Sequence, residues 1–270
     1  MLGWRAMKHP FFISDRPLGF AHRGGGALRP ENTLAAFDHG LALGADGLEL
    51  DVHLSLDGQV MVHHDQRLDR TTNLRGPIDQ RTAAELSQAD AGWNFGRENG
   101  YPFRGRGIGV PILAEVLERY RDVRIIIELK TASAELARAV VAAVRGAEAV
   151  ERVCVGSFDV RGLRVVRALE PAITTSAGRV EVMWALLKVW CRLPLTTAPY
   201  AGFQVPERSG RTRVISPAFV RSAHRAGFGV HVWTVDRSDD ARRLIGYGVD
   251  ALITDRPDVV MPICRGEVRH

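Results

Sequence analysis

Glu49 and Asp51 stand two residues apart in the apolar run GLELDVHL. If that run is a strand, its two-residue period puts both carboxylates on one face. Carboxylates held that close among apolar neighbours repel unless they share a proton or a cation. An all-oxygen pair suits Mg²⁺ or Ca²⁺ better than zinc. A third carboxylate, Glu128, ends the run RIIIELK, and Lys130 follows two residues later on the same face. His22 and Arg23 end another run, LGFA, with three glycines behind them, and His64 ends QVMVHH. The glycines are expected to bare backbone amides to an anion. Singly, each group has a plain explanation: a solvated salt bridge, an ion pair, a hydrogen-bonded core histidine. Together they all fall at the downstream ends of separate apolar runs. Their types are those that a divalent cation and a phosphate group require.

Short apolar runs alternate with helical patterns along most of the chain. Strand candidates are Leu18–Ala21, Gly47–Asp51, Gln59–Val62, Arg124–Leu129, Arg152–Val155, Ala172–Thr175, Gly202–Val205, Gly229–Trp233 and Ala251–Ile253. Helical candidates are Asn32–Leu43, Ile112–Tyr120, Ala134–Val150, Val160–Leu169, Val180–Cys191, Pro217–Ala226 and Asp239–Tyr247. This alternation predicts an α/β protein, a (β/α)8 TIM barrel with a small insertion after the third strand. One of the nine strands must then lie off the barrel. Asp51 to Gln59 is too short for a crossover helix, so the chain should turn at Asp57-Gly58 and one outer helix should be missing. Residues 1–270 read as a single barrel domain. Residues 65–110, polar and rich in Gly and Arg, read as an inserted cap or lid, with Thr82 and Glu85 capping one short helix. In a barrel the strand ends converge at the C-terminal mouth, so all the groups above would surround one opening.

The chain of 270 residues, 46% hydrophobic and 25% charged, falls in the range of ordinary soluble globular proteins. A formal charge of +5 suits an anionic substrate, but no Lys/Arg block marks a nucleic-acid tract, and no nucleic-acid partner is expected. Cys154, Cys191 and Cys264 form no zinc spacing and fit a reducing compartment. MLGWRAMKHPFFISDRP has no continuous apolar core or small-residue cleavage site, and no stretch is long and apolar enough to span a membrane. The expectation is a cytoplasmic protein.

Several blocks, AHRGG…PENTLAAF, GADGLELDVHLSLDGQVMVHHD, LDRTTNLRG, VPILAEVLE, IIIELK, VGSFD, AGFGVHVWTVD and GVDALITDRPD, together resemble the glycerophosphodiester phosphodiesterases. That family shares its barrel and two-histidine logic with the phosphatidylinositol-specific phospholipases C. The resemblance spans nearly the whole chain. It implies metal-dependent hydrolysis of glycerophosphodiesters to sn-glycerol 3-phosphate and an alcohol, with attack by the glycerol 2-hydroxyl. His22 and His64 match the acid/base pair, and Glu49, Asp51 and Glu128 the ligands of Mg²⁺ or Ca²⁺. Arg23 and Lys130 match the phosphate clamps, and Trp233 an aromatic wall beside the substrate. Two departures from the family pattern stand out. Ile112 and Ala114 replace a threonine and a glutamate of the VPILAE block, and Asp236 stands where asparagine is frequent.

Other residues read more plainly. His63 alternates with His64 and should face away; His53 should lie beyond its strand in solvent or behind the site. His231 shares a face with Trp233 and is a candidate for the mouth. Thr254 and Asp255 should shape the turn after the last strand. The segment VEVMWALLKVWCRLPL has more apolar surface than an outer helix needs: Glu181, Lys188 and Arg192 fill one narrow stripe and apolar residues the rest. Cover by neighbours or a second subunit is one reading. Contact of residues 180–195 with lipid, as a peripheral membrane helix or the wall of an acyl pocket, is the other. The alternatives to glycerophosphodiester hydrolysis are lysophospholipase D or sphingomyelinase-D-like activity, and a non-catalytic phosphate-binding scaffold. Small-molecule glycerophosphodiesters or lysophospholipids are the expected partners; the oligomeric state is left open.

Overall fold

The computed structural model describes residues 9–267; the first eight residues of the N-terminal stretch read above lie outside them. The strands are β1 (Leu18–His22), β2 (Gly47–Leu54), β3 (Val60–Val62), β4 (Arg124–Leu129), β5 (Val153–Gly156), β6 (Thr174–Thr175), β7 (Gly202–Pro206), β8 (Arg208–Ser209), β9 (Thr212–Arg213), β10 (Gly229–Trp233) and β11 (Ala251–Thr254). Eight of them pair in parallel in the order β6-β5-β4-β2-β1-β11-β10-β7. A parallel bridge between Ser176 and Gly202 joins the two ends, so the sheet curls into the expected barrel. The ninth candidate, β3, pairs antiparallel with β2 and stands off the barrel. The chain reverses between them at Gly58, whose φ of +77° is open to glycine.

No outer helix is missing. Helices α1 (Leu34–Ala42), α2 (Ala83–Ser87), α3 (Leu113–Arg119), α4 (Ala134–Gly146), α5 (Val160–Leu169), α6 (Arg179–Trp190), α7 (Pro217–Arg225), α8 (Ser238–Gly246) and α9 (Pro257–Cys264) follow in order, and all but α2 accompany a barrel strand. The crossover from β2 to β4 is made by α3, reached only after the long excursion. The last helix, α9, escapes a pattern search because it carries Pro257 and Pro262. Proline is acceptable at the first helical position, where the missing N–H has no intrahelical partner. Among the described residues no helix is long and apolar enough to cross a membrane.

Alternation along each strand divides the residues between two environments. Outward side chains such as Leu48, Leu50, Ile125, Ile127 and Val155 pack under the helices. Inward ones form layers: Leu18 and Phe20, Ile126, Cys154, Ala251 and Ile253 lie deep, joined by Phe11 and Phe12 from the N-terminal segment. The Phe12 ring fills the space that a Cβ on Gly202 or Gly229 would need. That end of the barrel is plugged, and the opposite end is left as the opening.

The segment leaving β3 returns beside it, where Val62 N–H donates to Pro111 O at 2.8 Å. Between these points Leu68, Ile78, Ala83, Leu86 and Val110 form a small core with Met61. Thr82 and Glu85 make a reciprocal capping box at the start of α2. Arg104 stacks its guanidinium over Trp93 and Tyr101, at 4.1 and 3.7 Å from the ring centroids.

Candidate active site

Two residues beyond each deep layer the inward positions change character. Phe20 gives way to His22, and Ile126 to Glu128; in β2 the inward residues are Glu49 and Asp51. His22, Arg23, Glu49, Asp51, His64, Glu128, Lys130 and Trp233 all line one cavity of about 940 Å³ at the open end. β1 and β2 align His22 with Glu49, and β2 and β4 align Asp51 with Glu128. Strand register therefore sets these groups side by side.

Glu49, Asp51 and Glu128 each offer a carboxylate oxygen, and the three oxygens lie within 4.8 Å of one another. Glu49 and Asp51 are buried. Burial, with Asp51 beside it, pushes the Glu49 carboxyl up to about 8, although His22 opposes the shift. Burial also raises the Glu128 carboxyl, against the pull of Lys130. Asp51 goes the other way: burial is outweighed by Lys130, Arg23 and His64, and its carboxyl is held below the usual range. Three close oxygens, two with carboxyls that resist ionisation for want of positive charge, fit a hard divalent cation.

The two histidines have matching supports. His22 Nδ1 donates to Asp255 Oδ1 at 2.8 Å, which turns its Nε2 toward Glu49 Oε2 at 3.8 Å. His64 Nδ1 donates to Asp65 Oδ1 at 2.6 Å. A carboxylate on one ring nitrogen fixes the tautomer and leaves the other nitrogen for the substrate side. Burial alone would lower the His22 imidazole, but Glu49 and Asp255 outweigh it and push it up to about 9.

A chain of alternating charges ties these groups together. Lys130 Nζ lies 3.0 Å from Glu128 and 3.3 Å from Asp51. Arg23 reaches Asp51 at 3.2 Å and Glu31 at 2.9 Å. Arg70, from the excursion, bridges Glu31 at 2.7 Å and Asp65 at 2.6 Å. The chain thus runs from Lys130 to His64. Asn32 adds a neutral clamp, its Nδ2 donating to Asp51 Oδ2 at 2.9 Å and its Oδ1 accepting from Asp51 N–H at 3.3 Å.

Several expectations need correction. The amides of Gly24, Gly25 and Gly26 do not face a ligand; they donate to Ala21 O and His22 O within the turn. Gly24 and Gly25 have φ of +84° and +95°, and a Cβ there would strike Ala36 or Pro257. Close approach of protein, not ligand, requires them. His53 is buried rather than solvated, and its Nε2 donates to His64 O at 3.0 Å, anchoring that residue's backbone. His231 does not reach the mouth: it lies fully buried one layer below Trp233, its ring 4.6 Å from that of Phe12 and 5.3 Å from that of Phe20. Asp255 does more than shape a turn, since it holds His22, and Asp236 accepts from Thr254 Oγ1 and Asp255 N–H to hold that loop. His63, as expected, is not among the residues that line the cavity; it is buried and directed to Arg67 O.

Asp65 was visible as the next residue to His64. Asp255 lies 233 positions from His22, and only the pairing of the first strand with the last joins them.

The sequence profile of the glycerophosphoryl diester phosphodiesterase family matches residues 22–259. A glycerophosphodiester phosphodiesterase of Caldanaerobacter subterraneus subsp. tengcongensis is 33% identical over 259 residues, covering 93% of this chain and 98% of that protein. The crystal structure of the glycerophosphoryl diester phosphodiesterase domain of an uncharacterized Mycobacterium tuberculosis protein superposes with a TM-score of 0.79 at 24% identity, covering 90% of this chain and 97% of that one, and so shares the fold. An Oleispira antarctica phosphodiesterase, solved with the product sn-glycerol-3-phosphate, superposes with a TM-score of 0.73 at 27% identity, covering 91% and 96%.

Proposed function

This chain belongs to the glycerophosphoryl diester phosphodiesterase family, and we propose that His22 and His64 are the acid/base pair of a cation-dependent glycerophosphodiester hydrolysis. The products are sn-glycerol 3-phosphate and an alcohol. The observation that carries the reading is the meeting of two carboxylate-supported histidines with three clustered carboxylates, two of them buried, in one cavity.

A phosphodiester carries negative charge that repels a nucleophile, and its alkoxide is a poor leaving group. Glu49, Asp51 and Glu128 would hold Mg²⁺ or Ca²⁺. Such an ion, when bound, supplies a fixed positive charge for the phosphoryl oxygens. Arg23 and Lys130, which line the same cavity, neutralise charge that grows on the phosphoryl group. One histidine takes the proton of the glycerol 2-hydroxyl as its oxygen attacks phosphorus, and the other protonates the departing alcohol. The hydroxyl and phosphorus belong to one substrate, so their encounter is already intramolecular. Water then opens the cyclic phosphate with the two histidines exchanging roles. Trp233 flanks the substrate, with Phe158 packed edge-on against it at 5.9 Å. Residues 65–110 act as a cap, tied to the mouth through Arg70.

The test is release of sn-glycerol 3-phosphate from glycerophosphocholine before and after chelation. Loss of turnover on chelation and recovery with Mg²⁺ or Ca²⁺ is the expected result. Full turnover in the chelated enzyme overturns the cation, and none in the cation-loaded enzyme overturns the activity.

A further inference from the structure

The catalytic groups occupy only one part of the cavity. Its remaining wall is α6, which contributes Val180, Met183, Trp184, Leu187 and Trp190. These side chains are 54%, 60%, 62%, 45% and 62% exposed. Their spacing places them on one helical stripe. A different stripe of the same helix, Val182, Ala185, Leu186 and Val189, packs into the core. The helix is therefore apolar on two sides: one holds the fold and the other lines the cavity, with Val182 and Leu186 at the border touching both. Val214 and, from the β8–β9 hairpin, Ser209 and Thr212 line the same cavity, and the half-exposed Phe158 packs against Trp233.

A glycerophosphodiester with a small polar alcohol has no surface that this stripe would shield from water. We infer that the groove binds the single acyl chain of a 1-acyl lysophospholipid, whose phosphodiester is then cleaved at the same centre. The inference rests on the phosphodiesterase reading above. Continuity of the groove with the catalytic cavity names the occupant: the acyl chain must be attached to the molecule whose phosphate lies between Arg23 and Lys130. From Val180 to Trp190 the apolar wall rises ~15 Å along the helix axis, room for a chain rather than a methyl group. Each methylene moved from water to apolar contact favours binding by roughly fourfold. The chemistry also limits the lipid to one chain. The attacking 2-hydroxyl must be free, which holds for a 1-acyl lysophospholipid and fails for a diacyl lipid.

The bonds change as in the simpler substrate. The 2-hydroxyl oxygen bonds to phosphorus and its proton passes to one histidine. The P–O bond to choline breaks, and choline leaves with a proton from the other histidine. Water adds to the 1-acylglycerol 2,3-cyclic phosphate, giving 1-acylglycerol 3-phosphate.

The full chain loaded with Mg²⁺ or Ca²⁺ is assayed on glycerophosphocholine and on monomeric 1-acyl lysophosphatidylcholine. The expected kcat/KM is at least tenfold higher for the lipid. Trp184→Ser/Trp190→Ser should lower the lipid value at least tenfold and leave glycerophosphocholine within twofold. Hydrolysis of glycerophosphocholine without the lipid overturns the acyl groove and spares the phosphodiesterase reading. A second arm is independent of turnover: His22→Ala is titrated with the same lipid below its micelle concentration by calorimetry. Saturable binding that the double substitution abolishes supports the groove even if no substrate is cleaved, and no binding overturns it. Two further results also overturn it: sedimentation with phosphatidylcholine/phosphatidylglycerol vesicles without monomer binding, which makes α6 a membrane-docking face, and a dimer dispersed by the double substitution, which makes it a subunit contact.

Discussion

At the plugged end of the barrel Phe11, Phe12 and Phe20 surround a buried His231. At the open end the same strands present His22, Glu49, Asp51, Glu128 and Trp233. β1 supplies both Phe20 and His22, and β10 both His231 and Trp233, each pair two residues apart. A single step of the strand period thus separates a layer held by ring packing from one held by charge. The lower layer is buried and dense with aromatic rings, which makes it a rigid base. The upper layer holds carboxyls that burial has driven away from their ordinary protonation and histidines fixed by carboxylates. Rigidity below is what allows charges above to stay in poor solvation at fixed distances.

Substitutions on the two sides of this boundary should therefore fail differently. At the open end His22→Ala or His64→Ala should lower kcat on glycerophosphocholine by about 10²- to 10⁴-fold, with a melting temperature that falls far less than that of Phe12→Ala at the plugged end. Asp255→Asn, which keeps the imidazole but loosens its hold, should cost about ten- to a hundredfold. A melting temperature that falls as far in these variants as in Phe12→Ala would erase the distinction. At the plugged end Phe12→Ala should cost about 3–5 kcal/mol of stability, read by urea unfolding, while kcat of the folded fraction at low temperature stays near that of the parent. A large kcat loss there would make the lower layer part of the catalytic apparatus.

The smallest effect is a pH dependence confined to the upper layer. His22 is raised from 6.5 to about 9, so the stability it contributes is complete below about pH 6.5 and is lost as pH rises through about 9. Glu49 is raised from 4.5 to about 8 and has the same sign, losing its contribution as pH rises through about 8. The cation-free protein should melt at progressively lower temperature from pH 6.5 to 9. Mg²⁺ or Ca²⁺, which favours ionised carboxylates, should raise the melting temperature more at pH 9 than at pH 6. A flat profile with and without cation would show that the upper layer is no more strained electrostatically than the lower one.

Much of this was legible in the chain itself. The two-residue period of a strand is set by local backbone geometry, so the placement of Glu49 and Asp51 on one face and the ending of each run in a chemical group followed from neighbours in sequence. The same local logic found the capping box at Thr82 and Glu85. Helix α9 was hidden by its prolines, whose effect depends on position within the turn. The partners of the chemical groups were hidden for another reason. Asp255 meets His22 because the barrel closes, Arg70 meets Glu31 because the excursion folds back, and His53 meets His64 O because β3 turns back beside β2. Local alternation determined which residues face inward. The tertiary structure alone decided which of them touch, because contact between distant charges depends on strand register and closure, which no stretch of neighbouring residues encodes.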